Sequence, residues 1–210
     1  VFQALKDPAP PRSLRARHFP MTDLADRKAA ARRASQAARK SAFSGTDPSP
    51  ALDALVGYVL RAPRPARVSG YAAIRTEMDP MPALERIHAA GIAVCLPVVT
   101  GPGRPLAFRP WRPGMALTEG AFGAAIPPDG PEVTPDLLIT PLSGFDDTGA
   151  RLGYGGGFYD RTLARLRAGG AVRAVGLAYA AQRLDRVPTE PTDQRLDAVV
   201  TEHGVQEFAH

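Results

Sequence analysis

Gly144-Phe145-Asp146-Asp147-Thr148-Gly149-Ala150-Arg151-Leu152-Gly153-Tyr154-Gly155-Gly156-Gly157-Phe158-Tyr159-Asp160-Arg161 is the stretch whose reading decides the fold. It follows a short apolar run, Leu137 to Leu142, that begins after Pro135 and reads as a buried strand. It precedes Thr162 to Arg167, which reads as a helix. The four glycines between 153 and 157 therefore belong to a loop between strand and helix. Backbone N–H groups in such a loop can point at an anion, and a helix N-terminus adds partial positive charge. Glycine tolerates positive φ there and lets phosphate oxygens approach without meeting a Cβ. Arg151, just before the glycines, can neutralise phosphate charge. Asp160, just after them, is a carboxylate placed to hold Mg²⁺ among phosphates. No Gly-Lys-Ser/Thr follows, so this is not a Walker A loop. The late position, with no ribose-binding acid about twenty residues on, excludes a dinucleotide fingerprint. The plainer reading, a glycine-rich loop without a ligand, is opposed by the aromatic residues and flanking charges.

The remainder of the chain bounds what this loop can serve. A length of 210 residues suits one well-buried domain. No apolar run approaches the roughly 18 residues that span a bilayer, so no membrane association is expected. Cys95 stands alone inside the apolar run Ile92 to Val99, which rules out a disulfide framework and reads as a small core residue. A reducing cytoplasm is the expected location. The net charge of +5 is unevenly spread. Residues 1–40 carry ten Lys/Arg against three acids, whereas residues 41–210 carry sixteen against eighteen. The body is slightly acidic and lacks a basic face interleaved with aromatics, so a nucleic-acid partner is not expected.

In chain order, residues 1–20 are rich in Pro and Arg and read as a disordered extension, with Met21 a candidate translation start. A targeting peptide is the alternative for that segment. Residues 21–210 form the expected domain. Residues 23–40 read as an Ala/Arg-rich helix with Thr22 or Asp23 as N-cap. Lys28 and Arg32, four apart, share a face and could converge on one anion, although a solvated charged face is the commoner outcome. Ser41 to Pro50 reads as a linker and Ala51 to Leu60 as a second helix. Arg67 to Ala73 reads as a strand, 81–90 as a helix closed by Gly91, and Ile92 to Val99 as a central strand. Val172 to Tyr179 and the segment Arg195 to Glu202 supply two more strands. His88 has no partner in sequence for a triad or metal cluster. Helices alternating with five or six strands predict one α/β domain with a largely parallel sheet. The 74–80 and 143–160 loops then fall at the carboxyl ends of its strands, where ligands bind.

The pattern Phe-Asp-x-x-Gly-x-Arg-Leu-Gly-x-Gly-Gly-Gly-(Phe/Tyr)-Tyr-Asp resembles the signature of the 5-formyltetrahydrofolate cyclo-ligase (methenyltetrahydrofolate synthetase) family, and the resemblance spans roughly residues 23–205. It implies a single α/β domain with a largely parallel central sheet flanked by helices, Rossmann-like, as in the NagB/RpiA/CoA-transferase-like folds. It also implies ATP- and Mg-dependent cyclisation of 5-formyltetrahydrofolate to 5,10-methenyltetrahydrofolate by a cytoplasmic monomer. Lys28-Ala29-Ala30-Ala31-Arg32 matches the family's N-terminal Lys-x-x-(Leu/Ala)-Arg, which places both cations at the nucleotide and Arg32 also near the folate. Arg151, Leu152, Gly153, Tyr154, Gly155, Gly156, Gly157, Phe158 and Tyr159 would line the ATP, with Tyr154 to Phe158 also facing the folate. Glu77 matches the carboxylate that contacts the pterin, for which a pair of acceptor oxygens is chemically suited. Catalytic charge neutralisation falls to Arg151, Lys28 and Arg32. Gln182, Pro188, Asp193 and Asp197 have counterparts in the family, and the resemblance pairs Asp197 with Asp160 at Mg²⁺. Trp111 is either a cover for the folate or a core residue. The sequence departs from the pattern at Pro80, where the family has Thr, and at Phe158, where Tyr is more usual.

Two other classes stay open at the level of sequence. One is a diverged relative that binds nucleotide, folate or RNA without turnover. The other is a phosphoryl-handling enzyme that uses the same loop on a different small substrate.

Overall fold

Leu137, Leu138 and Ile139 are all fully buried, yet they point to opposite sides of one sheet. That is the signature of a strand covered on both faces, and it sets the architecture. The computed structural model describes residues 23–61 and 63–209, and the expectation of a disordered extension over 1–20 lies outside them. The helices are α1 (Leu24–Gly45), α2 (Ser49–Leu60), α3 (Met81–Ala89) and α4 (Phe158–Gly169). The strands are β1 (Arg67–Ser69), β2 (Ala93–Val98), β3 (Ala107–Trp111), β4 (Thr118–Glu119), β5 (Ala125–Ile126) and β6 (Leu137–Pro141). They continue as β7 (Gly144–Phe145), β8 (Arg151–Leu152), β9 (Arg173–Leu177), β10 (Ala198–Thr201) and β11 (Gly204–Glu207).

Seven strands form the main sheet in the order β11-β10-β9-β6-β1-β2-β3. The five central strands run parallel, and β3 and β11 close the edges antiparallel. The fold is thus the single α/β domain expected, with two antiparallel edges added. Val68, Leu96, Leu137, Ile139, Val175, Leu177 and Val200 face α2 and α3, meeting Leu55, Val59, Leu84 and Ile87. Cys95, Leu138, Ala174 and Val199 face the other way, towards Leu163 of α4. Cys95 is the core residue expected, and burial pushes its thiol up to about 12.

Several boundaries differ from the sequence expectation for local reasons. Asp23 caps α1 by accepting from Ala25 N–H at 3.2 Å, but the helix continues through Ala42 to Gly45, where a linker is expected. β1 stops at Ser69 rather than Ala73, after which Gly70 N–H reaches Cys95 O at 3.0 Å and the chain turns away. The expected glycine cap of α3 is present: Gly91 has φ 85°, and the N–H of Ile92 returns to Ile87 O at 3.3 Å. Trp111 lies in the α2/α3-side core, so core packing is its role and it covers no cleft.

The glycine loop does not follow β6 directly. A hairpin, β7–β8, stands between them, and Asp146 builds its turn. One Asp146 carboxylate oxygen accepts from Thr148 N–H at 2.9 Å, Thr148 Oγ1 at 2.7 Å and Ala150 N–H at 3.3 Å; the other accepts from Val187 N–H at 2.8 Å. Gly149 turns the chain at φ 76°, where a Cβ would stand 2.8 Å from Leu196 O. The Phe-Asp-x-x-Gly part of the motif is therefore structural. Asp146→Ala should leave four donors without their partner and destabilise the fold by about 2–4 kcal/mol. Urea unfolding measures this, and a loss under about 1 kcal/mol would contradict the role.

Candidate active site

α4 begins at Phe158, four residues earlier than the sequence suggests, so the glycines end at its N-terminus. Gly157, with φ 64°, takes the N-cap position with no side chain capping it, and Gly155 is also left-handed at φ 102°. The first-turn N–H groups of α4 are thus uncapped by side chains and directed at the loop. Thr162 fixes the helix in place, since its Oγ1 accepts from Leu106 N–H at 2.8 Å and donates to Phe158 O at 2.7 Å.

Behind the glycines a cavity of about 360 Å³ opens at the carboxyl ends of β1, β2 and β6. Its walls include Tyr71, Glu77, Val99, Pro141, Arg151, Gly153, Tyr154, Gly156, Gly157, Phe158, Tyr159 and Asp160. The 74–80 and 143–160 loops meet there, as the parallel topology requires. The β4–β5 hairpin overhangs the opening. Its tip residue Phe122, 75% exposed and at φ 61°, faces Phe158 with ring centroids 6.0 Å apart. Sequence reasoning missed Phe122, because a lone aromatic in a glycine-bounded turn carries no periodicity.

Arg151 is the electrostatic centre. It is buried, Nη2 donates to Asp160 Oδ1 at 2.8 Å, and among the described residues Nε has no hydrogen-bond partner. Burial lowers its pKa, opposed by the charges of Asp160 and Asp193. Asp160 Oδ1 also accepts from Gln194 N–H at 2.9 Å. Lys28 donates to Asp193 at 2.7 Å and to Glu190 at 2.8 Å. Burial works against its charge, but these two carboxylates more than compensate and raise its pKa. Arg32 Nε donates to Gly153 O at 2.8 Å, and its guanidinium is the nearest group, at 3.6 Å, to a Cβ built on Gly155. So α1 brings both of its expected cations to the glycine-loop side, although neither lines the cavity. Leu152 is buried in β8 and packs with Ala150 and Val187, supporting the loop.

Glu77 is buried in the cavity wall contributed by the 74–80 loop. Oε2 accepts from Ile74 N–H at 2.8 Å and Oε1 from the Tyr154 hydroxyl. Burial raises its pKa, while the hydrogen bonds from Tyr154 and Ile74 and the charge of Arg39 pull it back.

Asp197 is held by a different set of partners from Asp160. It precedes β10 at the amino end of the sheet, accepting from Ala174 N–H at 2.7 Å and Arg167 Nη2 at 2.8 Å. Its partner Arg167 lies in the last turn of α4, whereas Asp160 lies in the first. Asp193 is the carboxylate that shares the Lys28–Arg151 cluster. Both acids are present in the sequence with family counterparts, and only the path of residues 190–197 tells them apart. Gln182 is a brace: its side chain donates to Leu142 O at 2.8 Å and Ser143 O at 3.0 Å at the end of β6.

The model of the 5-formyltetrahydrofolate cyclo-ligase family matches residues 15–202. The chain belongs to that family. The 5-formyltetrahydrofolate cyclo-ligase of Escherichia coli K12 is 39% identical over 139 residues, covering 63% of this chain and 75% of the relative. That of Mycolicibacterium smegmatis is 32% identical over 145 residues, covering 64% and 72%. Among solved structures, Aquifex aeolicus 5,10-methenyltetrahydrofolate synthetase aligns with TM-score 0.68 at 26% identity, covering 87% of this chain and 93% of that one. The Mycoplasma pneumoniae synthetase shares the fold, with TM-score 0.64 at 23% identity, covering 83% and 98%.

Two glycines of the family signature separate backbone need from open space. Alanine at Gly157 must adopt φ near 64° with its Cβ 2.6 Å from Arg161 Nη1, whereas at Gly153 a Cβ meets nothing within 4 Å. Gly157→Ala should lose about 1–2 kcal/mol and Gly153→Ala less than about 0.5 kcal/mol in thermal unfolding. Equal losses would contradict this reading of the loop.

Proposed function

We propose that this chain carries out the reaction of its family: 5-formyltetrahydrofolate and ATP give 5,10-methenyltetrahydrofolate, ADP and phosphate. The observation that carries the ATP part is Arg151, a buried guanidinium with an unpartnered Nε beside an uncapped helix N-terminus. Such a group calls for an anion, and a phosphate oxygen supplies one without a covalent protein nucleophile.

The formamide oxygen is a poor leaving group until it is phosphorylated. In the first step that oxygen attacks the γ-phosphorus and ADP departs. The folate N10 then attacks the activated formyl carbon and loses its proton, closing the ring. Loss of phosphate completes the methenyl bridge. The protein's task is positioning and charge neutralisation. Arg151, Lys28 and Arg32 offset phosphate charge, and the amides of residues 153–157 and the first turn of α4 cradle the phosphates. Glu77 receives the N–H edge of the pterin, and Phe122 and Phe158 cover the folate at the cavity mouth.

For Mg²⁺ the donor chemistry fits Asp160 and Asp193, carboxylates held by one cationic cluster. Asp197, engaged at the other end of α4, is replaced by Asp193 in this proposal. Among the described residues no group of three or more His, Cys, Asp and Glu assembles for a metal, so phosphate oxygens and water would complete the shell. The ion would neutralise charge developing on the phosphates. No helix among the described residues is long and apolar enough to cross a membrane.

Asp160→Asn and Asp193→Asn should each cut ATP-dependent turnover at least about tenfold and raise the Mg²⁺ concentration needed for half-maximal rate. Asp197→Asn should lower the melting temperature with that Mg²⁺ requirement unchanged. The reverse pattern in an Mg²⁺ titration would restore Asp197 to the metal.

The pH dependence follows from Glu77. Its carboxyl is raised above the ordinary glutamate value, so it takes up a proton sooner as pH falls. The KM for folate should be flat at neutral and alkaline pH and rise on acidification through that raised value. Glu77→Gln should start high and lose this rise, and an unchanged profile in the variant would remove Glu77 from pterin binding.

A further inference from the structure

Arg39 is a cation for which neither the core nor the phosphates give a reason. It lies on α1 seven residues beyond Arg32, and its side chain is only 5% exposed. Burying a guanidinium costs several kcal/mol unless it is paired. Its contacts all lead to one place. Nε donates to Thr76 Oγ1 at 3.1 Å, beside Glu77 in the chain. Nη1 donates to the Tyr154 hydroxyl, and the guanidinium carbon lies 5.5 Å from the centre of that ring. The same Nη1 stands 4.0 Å from Glu77 Oε1, to which the Tyr154 hydroxyl donates.

We propose that Arg39 is a positioning residue which, acting through Tyr154, fixes the ionised Glu77 carboxylate for the pterin and ties it to the phosphate loop. The inference rests on the cyclo-ligase reading of the cavity. A carboxylate offers about four acceptor positions. Tyr154 and Ile74 take one on each oxygen, leaving each oxygen one position for a pair of N–H donors from the ligand. Without the cation behind it, the buried Glu77 would lose the charge that favours its ionised form. Tyr154 is also a residue of the glycine loop, so its hydroxyl is a strut between the phosphate half and the pterin half of the site. In the family pattern this is the unspecified position between the first two glycines of Gly-x-Gly-Gly-Gly, so the strut belongs to this chain's own residue there.

The test is a comparison of KM for 5-formyltetrahydrofolate and for ATP in Arg39→Met, Arg39→Lys, Tyr154→Phe and the double variant Arg39→Met/Tyr154→Phe. Arg39→Met should raise the folate KM about tenfold, the scale of one lost charge-assisted hydrogen bond, with the ATP KM changed less than about twofold. Lysine should recover part of the loss. Tyr154→Phe, at a position 39% exposed that threatens no folding, should raise the folate KM in the same direction. The double variant should be no worse than Arg39→Met, because both changes cut one chain of contacts. An unchanged folate KM in Tyr154→Phe, additive losses in the double variant, or equal rises in both KM values would overturn the proposal. Absence of turnover in the unsubstituted protein would instead overturn the cyclo-ligase reading, and this proposal with it.

Discussion

A guanidinium buried at the carboxyl end of a parallel sheet is the constraint on which the rest of this structure depends. Arg151 sits on the second strand of a hairpin whose strands have two residues each, where ordinary packing would place an apolar side chain. Asp160 answers part of its charge at 2.8 Å, and among the described residues Nε has no hydrogen-bond partner. Because Asp160 occupies the first turn of α4, that ion pair also ties the start of the helix, with its uncapped N–H groups, to the hairpin. Lys28 and Asp193 extend the same cluster to α1 and to the chain before β10. Four separate parts of the sequence are thus held by one alternation of charges.

Much of this was legible in the sequence, and the reasons are specific. The runs 92–99, 137–142 and 172–179 are largely apolar, interrupted only by Thr140 and Arg173, because their strands are covered on both faces, and their central residues, Cys95, Leu138 and Val175, are fully buried. The glycine stretch announced its loop because two of its residues adopt φ values that other side chains rarely take. Short elements were not legible. β4–β5 and β7–β8 are strands of two residues each, too brief for alternation to register, and their positions come from tertiary bonds such as those of Asp146.

The two acids before β10 show what resemblance alone leaves open. Asp193 and Asp197 are four residues apart, and each has a counterpart in the family. The structure turns the chain between them so that Asp193 meets Lys28, while Asp197 locks β10 to β9 and α4. Spacing alone could not tell these two environments apart. Arg39 was invisible for a related reason. On an Ala/Arg-rich helix one more arginine looks like solvated surface, and only the fold reveals that it is the buried one.

The central claim, that this cavity couples ATP cleavage to closure of a folate ring, is tested most directly by stoichiometry. Methenyl absorbance and ADP release would be followed together on mixing the protein with 5-formyltetrahydrofolate, ATP and Mg²⁺, with Arg151→Met run in parallel. The account predicts equal amounts of methenyl product and ADP, no product when ATP is omitted, and a loss of at least about a hundredfold in the variant. Product formed without ATP, ADP released without ring closure, or full activity in Arg151→Met would contradict it.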